Sequence, residues 1–219
     1  MDALGKIVIG FSLLGVCILY GISLFVTPPF VPLDEVALHE GAVIRTAGII
    51  TDFSVTESGN VLMKLEGNQS ELLLFVDSAD KSAELLDLGY GDEIEVEGRV
   101  QVYRGEYELM VSGTGVKKVT HERDIAFVSQ VAAHPEEYAG RRIRVVGYAE
   151  DVYTHVFYLR DEVGNHRMRV TLMDITITNS ALEEGDKVIA EGVLSYDAEN
   201  MRYELNLVAL QPAFAVIET

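Results

Sequence analysis

The chain has 219 residues, of which 35 are acidic and 17 basic, giving a net charge of −18 at pH 7. With 48% apolar residues it is long enough for two small domains that each bury a core. Non-specific nucleic-acid binding needs clustered positive charge, which the net field opposes, and a single cysteine, Cys17, excludes an internal disulfide and a Cys-based zinc site.

The first predicted element is a membrane anchor. Residues Ile7 to Val26 run for 20 residues without a charge, and no charge occurs between Lys6 and Asp34. That matches the length of a helix crossing about 30 Å of hydrocarbon. A cleavable signal has a shorter apolar core and a small-residue exit, so the segment reads as an uncleaved signal anchor over 7–27, after a flank at 1–6. Lys6 precedes the helix and the next basic residue is Arg45, so the positive-inside rule places the globular part outside the cytoplasm. Pro28, Pro29 and Pro32 read as a stiff spacer over 28–35.

The remainder is one domain written twice. "GAVIRTAGIITDF" (Gly41–Phe53) aligns without a gap on "GRRIRVVGYAEDV" (Gly140–Val152). "LGYGDEIEVEGRV" (Leu88–Val100) matches "LEEGDKVIAEGVL" (Leu182–Leu194), and "YELMV" at Tyr107 matches "YELNL" at Tyr203. Repeated order and spacing mark an internal duplication.

Each copy reads as five strands. In copy one these are Ala42–Phe53, a hairpin of Val61–Glu66 and Glu71–Val76 turning through "GNQS", then Asp92–Tyr103 and a strand from Tyr107, with a short helix over Asp80–Gly89. In copy two they are Arg141–Val152, Val156–Asp161, Arg167–Met173, Lys187–Tyr196 and Arg202–Val208, with a short connection at Asn179–Leu182. A glycine in the middle of a long first strand lets that strand bend to pair in both halves of a small barrel.

The motif "LxxGDxVxxEGxV" followed by a "YEL" strand resembles the second half of an OB-fold. The expected architecture is all-β with short helices: two tandem five-stranded OB-fold barrels, at 36–119 and 120–219, after one N-terminal transmembrane helix. More narrowly the chain resembles the membrane-anchored tandem OB-fold proteins of archaea, often described as nucleic-acid-binding. His134 and Tyr138 form a His-x-x-x-Tyr that resembles the haem-attachment motif of the membrane-anchored haem chaperones of cytochrome c maturation. In those proteins the motif lies in a tail after the barrel. Here it leads into the first strand of the second copy. Pro135 suits the first turn of a helix, and Tyr138 is expected to drop onto the core with Gly140 as the exit.

No GxSxG, HExxH or phosphate-binding glycine loop occurs, and the five histidines lack ligand spacing, so no enzyme, metal or cofactor is expected. The candidate ligand surface lies in copy two. Arg142 and Arg144 share a parity on its first strand, Tyr158 and Arg160 face out on the second, and Arg167 and Arg169 face out on the third. These strands are neighbours in an OB-fold, so five arginines and a tyrosine are expected on or near one outer surface, where such folds bind nucleic acid or sugars. The plainer alternative is that they neutralise Glu150, Asp151, Asp161 and Glu162.

Copy one lacks this patch. Leu72, Leu74 and Val76 lie on one face of its third strand, and Leu73 and Phe75 on the other, which implies a cover from copy two, the anchor region or a second chain. Asn68 opens a glycosylation sequon in a predicted turn. The functional expectation is a non-enzymatic, membrane-tethered binding module, with a protein partner, single-stranded nucleic acid or another anionic ligand. The alternatives are a cell-envelope structural or assembly factor acting through protein contacts and, on the resemblance at His134 and Tyr138, a haem chaperone.

Overall fold

The first strand is long because it serves two ladders. In the computed structural model, which describes residues 11–18, 20–21, 27–77, 85, 87–120, 124–172 and 182–213, β1 (Val43–Val55) pairs antiparallel with β4 (Glu93–Tyr103) along its first half and with β2 (Val61–Gly67) along its second. β2 turns into β3 (Ser70–Val76) through Asn68 and Gln69, at φ 52° and 63°, as a two-residue hairpin of type I′ requires. β3 runs parallel to β5 (Glu106–Thr120), which returns antiparallel to β4. The ring closes in the order β1-β2-β3-β5-β4, the OB-type barrel expected from the sequence.

The second unit repeats these pairings. β7 (Arg142–Glu150) pairs with β8 (Val156–Arg160) and with β10 (Lys187–Asp197); β8 pairs with β9 (Arg167–Thr171). β9 runs parallel to β11 (Arg202–Pro212), which is antiparallel to β10. An additional short strand, β6 (Ile125–Phe127), lies parallel on β7, so the sheet has six strands in the order β10-β11-β9-β8-β7-β6.

The repeated motif has a physical reading. Gly91 and Gly185 sit at φ +89° and +91°. Each donates its N–H to the preceding long strand, to Ile50 and Ala149 respectively. The aspartates that follow fold back: Asp92 Oδ2 accepts from Gly89 N and Asp186 Oδ2 from Glu183 N, both at 2.8 Å. Further along, Gly98 and Gly192 let the last strand cross closely, and the ladder shifts register beside each. Gly48 and Gly147 hold the mid-strand place assigned to them. A Cβ on Gly147 would meet Val128 Cγ2 at 2.6 Å.

Alternation decides the core. Ile44, Ile50, Phe53, Met63, Leu65, Leu74, Ile94 and Leu109 are essentially unexposed, each worth about 1.5–3 kcal/mol of apolar burial. A bulge between Ile50 and Asp52 in the β1–β2 ladder resets the parity of β1. Phe53 therefore turns inward like Ile50, while Asp52 points out beside Lys64.

The segment expected to be a free spacer is docked. Val31 N donates to Arg45 O at 2.7 Å and Arg45 N to Pro29 O at 2.9 Å. Val31, Leu33 and Val36 are buried in the first core, the last two from a 3-10 helix, Leu33–His39. Copy two opens the same way: β6 on β7, then a short helix, Val128–Ala133. Pro135–Tyr138 is a single helical turn with proline at its start; Tyr138 packs on the second core, and Gly140 N donates to Leu194 O.

Residues 11–18 are helical, with Phe11, Leu13, Leu14, Val16 and Ile18 exposed. Among the described residues no helix is long and apolar enough to cross a membrane. The rest of the expected span, at 7–10, 19 and 22–26, lies outside them, as do most of the expected helix at Asp80–Gly89 and the connection before Leu182.

Candidate functional site

The two units share a junction built on the outer face of β7. Residues on that face alternate: Arg142, Arg144, Val146, Tyr148, Glu150. Val146 and Tyr148 are covered by the first unit. Val146, with Ile189 opposite it on β10, joins the first hydrophobic core together with Ile125 and Phe127. Phe127 stacks on Phe53 with centroids 5.6 Å apart. Ser129 Oγ donates to Phe53 O, and Gln130 Nε2 to Leu88 O.

A polar cluster lies within this junction. Asp52, with its side chain 8% exposed, accepts from Lys187 Nζ at 2.8 Å and from the Tyr148 hydroxyl at 2.7 Å. Lys187 also donates to Thr51 O at 2.6 Å and lies over the rings of Tyr148 and Tyr90. Burial, then the bond to Asp52, push the Tyr148 hydroxyl far above its ordinary pKa. Nearby, Lys64 Nζ meets Glu162 Oε1 at 2.6 Å. Burial opposes the Lys64 charge, but Glu162 and Glu71 outweigh it and hold the pKa above its usual value.

This junction divides the expected arginine surface. Arg142 and Arg144 lie on one side of it, beside β6 and β10. Tyr158, Arg160, Arg167 and Arg169 lie on the other, where β8 and β9 pair Tyr158 with Arg169 and Arg160 with Arg167. The six residues do not form one surface, because Val146 and Tyr148 between the two groups hold the first unit.

On the β8–β9 face the four residues interlock. The Arg167 guanidinium sits 3.8 Å above the Tyr158 ring, and Arg169 Nη1 donates to the Tyr158 hydroxyl at 3.4 Å. Carboxylates are close by: Arg167 meets Asp151 at 3.0 Å and Glu150 at 3.6 Å, and Arg160 approaches Glu150 at 3.8 Å. Glu204 takes Arg202 at 2.6 Å and lies 3.3 Å from Arg169 Nε without hydrogen-bond alignment. Two of the four carboxylates expected to compete do so. The other two serve elsewhere: Asp161 holds its own hairpin through Gly164 N and His166, and Glu162 reaches Lys64. The Arg160 and Arg167 pairs lie at the surface; pairs of this kind contribute about 1 kcal/mol or less, so a ligand can displace them.

Leu73 and Phe75 are half-buried on the outer face of β3. Phe75 lies between Leu62 on β2 and Met110 on β5, making an apolar row across the barrel. Lys64, the cross-strand neighbour of Leu73, is the point where the second unit touches this face. Sequence reasoning missed Asp52, Tyr148, Lys187, Arg202 and Glu204. Outward parity was the signal for Tyr148, Lys187, Arg202 and Glu204; Asp52 shares the parity of the inward Ile50 and had none, because the bulge between them is not visible in the sequence. Among the described residues no three His, Cys, Asp or Glu side chains converge as metal ligands would.

No protein-family model matches the chain, and neither does any curated protein. Solved structures match over part of it. A putative aspartyl-tRNA synthetase from Leishmania major Friedlin is 13% identical with a TM-score of 0.38, over 45% of this chain and 22% of that one. The S. pombe Stn1-ten1 complex is 17% identical with a TM-score of 0.33, over 36% and 59%. Asparaginyl-tRNA synthetase from Pyrococcus horikoshii is 17% identical with a TM-score of 0.38, over 49% and 26%. The chain thus spans less than two thirds of the length of each of these three proteins.

Proposed function

We propose that the chain is a non-enzymatic, membrane-tethered binding module. In this reading the second ring of strands is an OB-fold barrel like the first, and its β8–β9 face receives an anionic ligand, single-stranded nucleic acid among them. The observation that carries it is the Arg167 guanidinium stacked on Tyr158, beside Arg160 and Arg169. In a chain of net charge −18 this face sets Arg160, Arg167 and Arg169, with Arg202, against Glu150, Asp151 and Glu204. A stacked aromatic contributes about 1–3 kcal/mol per base, and arginine pairs with phosphate. The tether is supported by the uncharged run before Thr27 and by the exposed apolar side chains of residues 11–18.

Titration with a labelled single-stranded oligonucleotide is expected to show binding that weakens at least about ten-fold between ~50 and ~200 mM salt. Substituting Arg167→Glu with Arg169→Glu should abolish it. No binding, or binding indifferent to the double substitution, rejects the ligand face. Protease added to intact cells is expected to digest the barrels if they lie outside.

A second reading rests on the apolar row Leu62–Phe75–Met110: an assembly factor of the cell envelope that works through protein contacts. Phe75 is only half-buried, so Phe75→Asp should leave the barrel folded and reduce self-association or partner contact. Unchanged stability together with an unchanged oligomeric state removes this reading.

A further inference from the structure

On the far side of the junction from Tyr158, the two units and the strand linking them border an open cleft of about 560 Å³. That lies within the roughly 300–1,000 Å³ of small-molecule sites, which favour domain interfaces. Arg141, Arg142 and Arg144 line one wall, and Tyr138, half-buried on the second core, gives the cleft an aromatic side.

The charges here are arranged differently from those on the β8–β9 face. Arg142 is engaged, with Nε 2.7 Å from Glu191 Oε1. Arg141 makes only a backbone contact, at 3.4 Å to Glu137 O. Arg144 is half-buried and, among the described residues, has no hydrogen-bond or ion-pair partner. The wall carries three carboxylates: Glu191 is used by Arg142, the Asp87 side chain is 90% exposed and faces Lys118 at 3.9 Å, and Asp124, just before β6, is also engaged, though not with Arg144. Tyr138 presents a ring whose hydroxyl is pushed above its usual pKa, first by burial. It therefore stays neutral in this wall and acts as an apolar surface with one hydroxyl donor.

A guanidinium drawn partly out of water with no anion beside it is a ready partner for an acidic group, because charge-assisted hydrogen bonds are the strong ones. We infer that this cleft is a second binding site, specific for a small organic anion whose acidic head meets Arg144 and Arg141 and whose apolar or aromatic body lies against Tyr138. It is separate from the β8–β9 face and does not depend on nucleic-acid binding there.

The test is calorimetric titration of the full chain with phenyl phosphate, benzoate and inorganic phosphate. At least one aryl anion should bind saturably, about ten-fold or more tighter than inorganic phosphate, because the body contributes as well as the head. Which aryl anion binds tighter identifies the head group. Arg144→Gln should weaken the aryl anion at least about ten-fold with an unchanged thermal midpoint, and Arg144→Lys, which keeps the charge but loses the fork, should fall between. Saturating single-stranded oligonucleotide should leave the aryl anion bound. No saturable binding of either aryl anion, full binding by a folded Arg144→Gln, or displacement by the oligonucleotide each overturns the assignment.

Discussion

Gly192→Ala is expected to destabilise the protein by about 2–3 kcal/mol, read as a lower urea midpoint. A Cβ there would lie 2.4 Å from the Asn206 carbonyl oxygen and 2.9 Å from its carbonyl carbon. These are backbone atoms held in the β10–β11 ladder, so relief requires the two strands to part. Gly98→Ala should behave alike, since its Cβ would meet Met110 O at 2.5 Å. Gly105 separates the steric cause from backbone strain. It sits at φ +92° with nothing within 4 Å of a built Cβ, so Gly105→Ala should cost only about 1 kcal/mol. Equal losses at Gly192 and Gly105 would refute the close-approach account of the EG motif.

The junction gives the second large effect. Lys187→Ala removes the cation from Asp52, whose side chain is 8% exposed, and leaves the carboxylate with the Tyr148 hydroxyl. Breaking a buried pair from one side costs about 3–5 kcal/mol. Lys187 is 22% exposed, so the expected loss is nearer ~3 kcal/mol. The readout is calorimetric: one unfolding transition in the parent should become two, as the units uncouple. Asp52→Asn combined with Lys187→Met should recover much of the loss, because it leaves no uncompensated charge. A single undisturbed transition in Lys187→Ala would show that the apolar contacts of Phe127, Val146 and Ile189 suffice.

The barrel was legible because its signals are local. Alternation placed the strands, glycine and aspartate placed the turns, and the second copy confirmed each by repetition. β5 and β11 run beyond their expected ends, as their last residues pair with β4 and β10 without a clear apolar rhythm. β6 and the helix after it were missed, because "IAFVSQVAA" is too short to show a period. The candidate site was legible only in part. Parity placed Tyr158, Arg160, Arg167 and Arg169 together correctly. It could not tell that Val146 and Tyr148, at the same parity as Arg144, face the first unit. Nor could it supply Glu191 and Glu204, which arrive from strands distant in the chain. The stretch at Pro28–Leu33 misled because prolines suit both a free spacer and a segment docked by its carbonyls.

The covered centre of β7 has a consequence for stoichiometry. Duplication usually offers two equivalent receptor surfaces and the gain in avidity that comes from linking them. Here the copies have spent part of that equivalence on each other: β7 gives its middle to the first unit, and Asp52 on β1 is drawn into the same contact. A strand-like ligand cannot run along β7 from Arg144 to Glu150 without prising the units apart. Toward a strand-like ligand on the proposed β8–β9 face, the molecule is therefore expected to be monovalent, with affinity unaided by its own repetition.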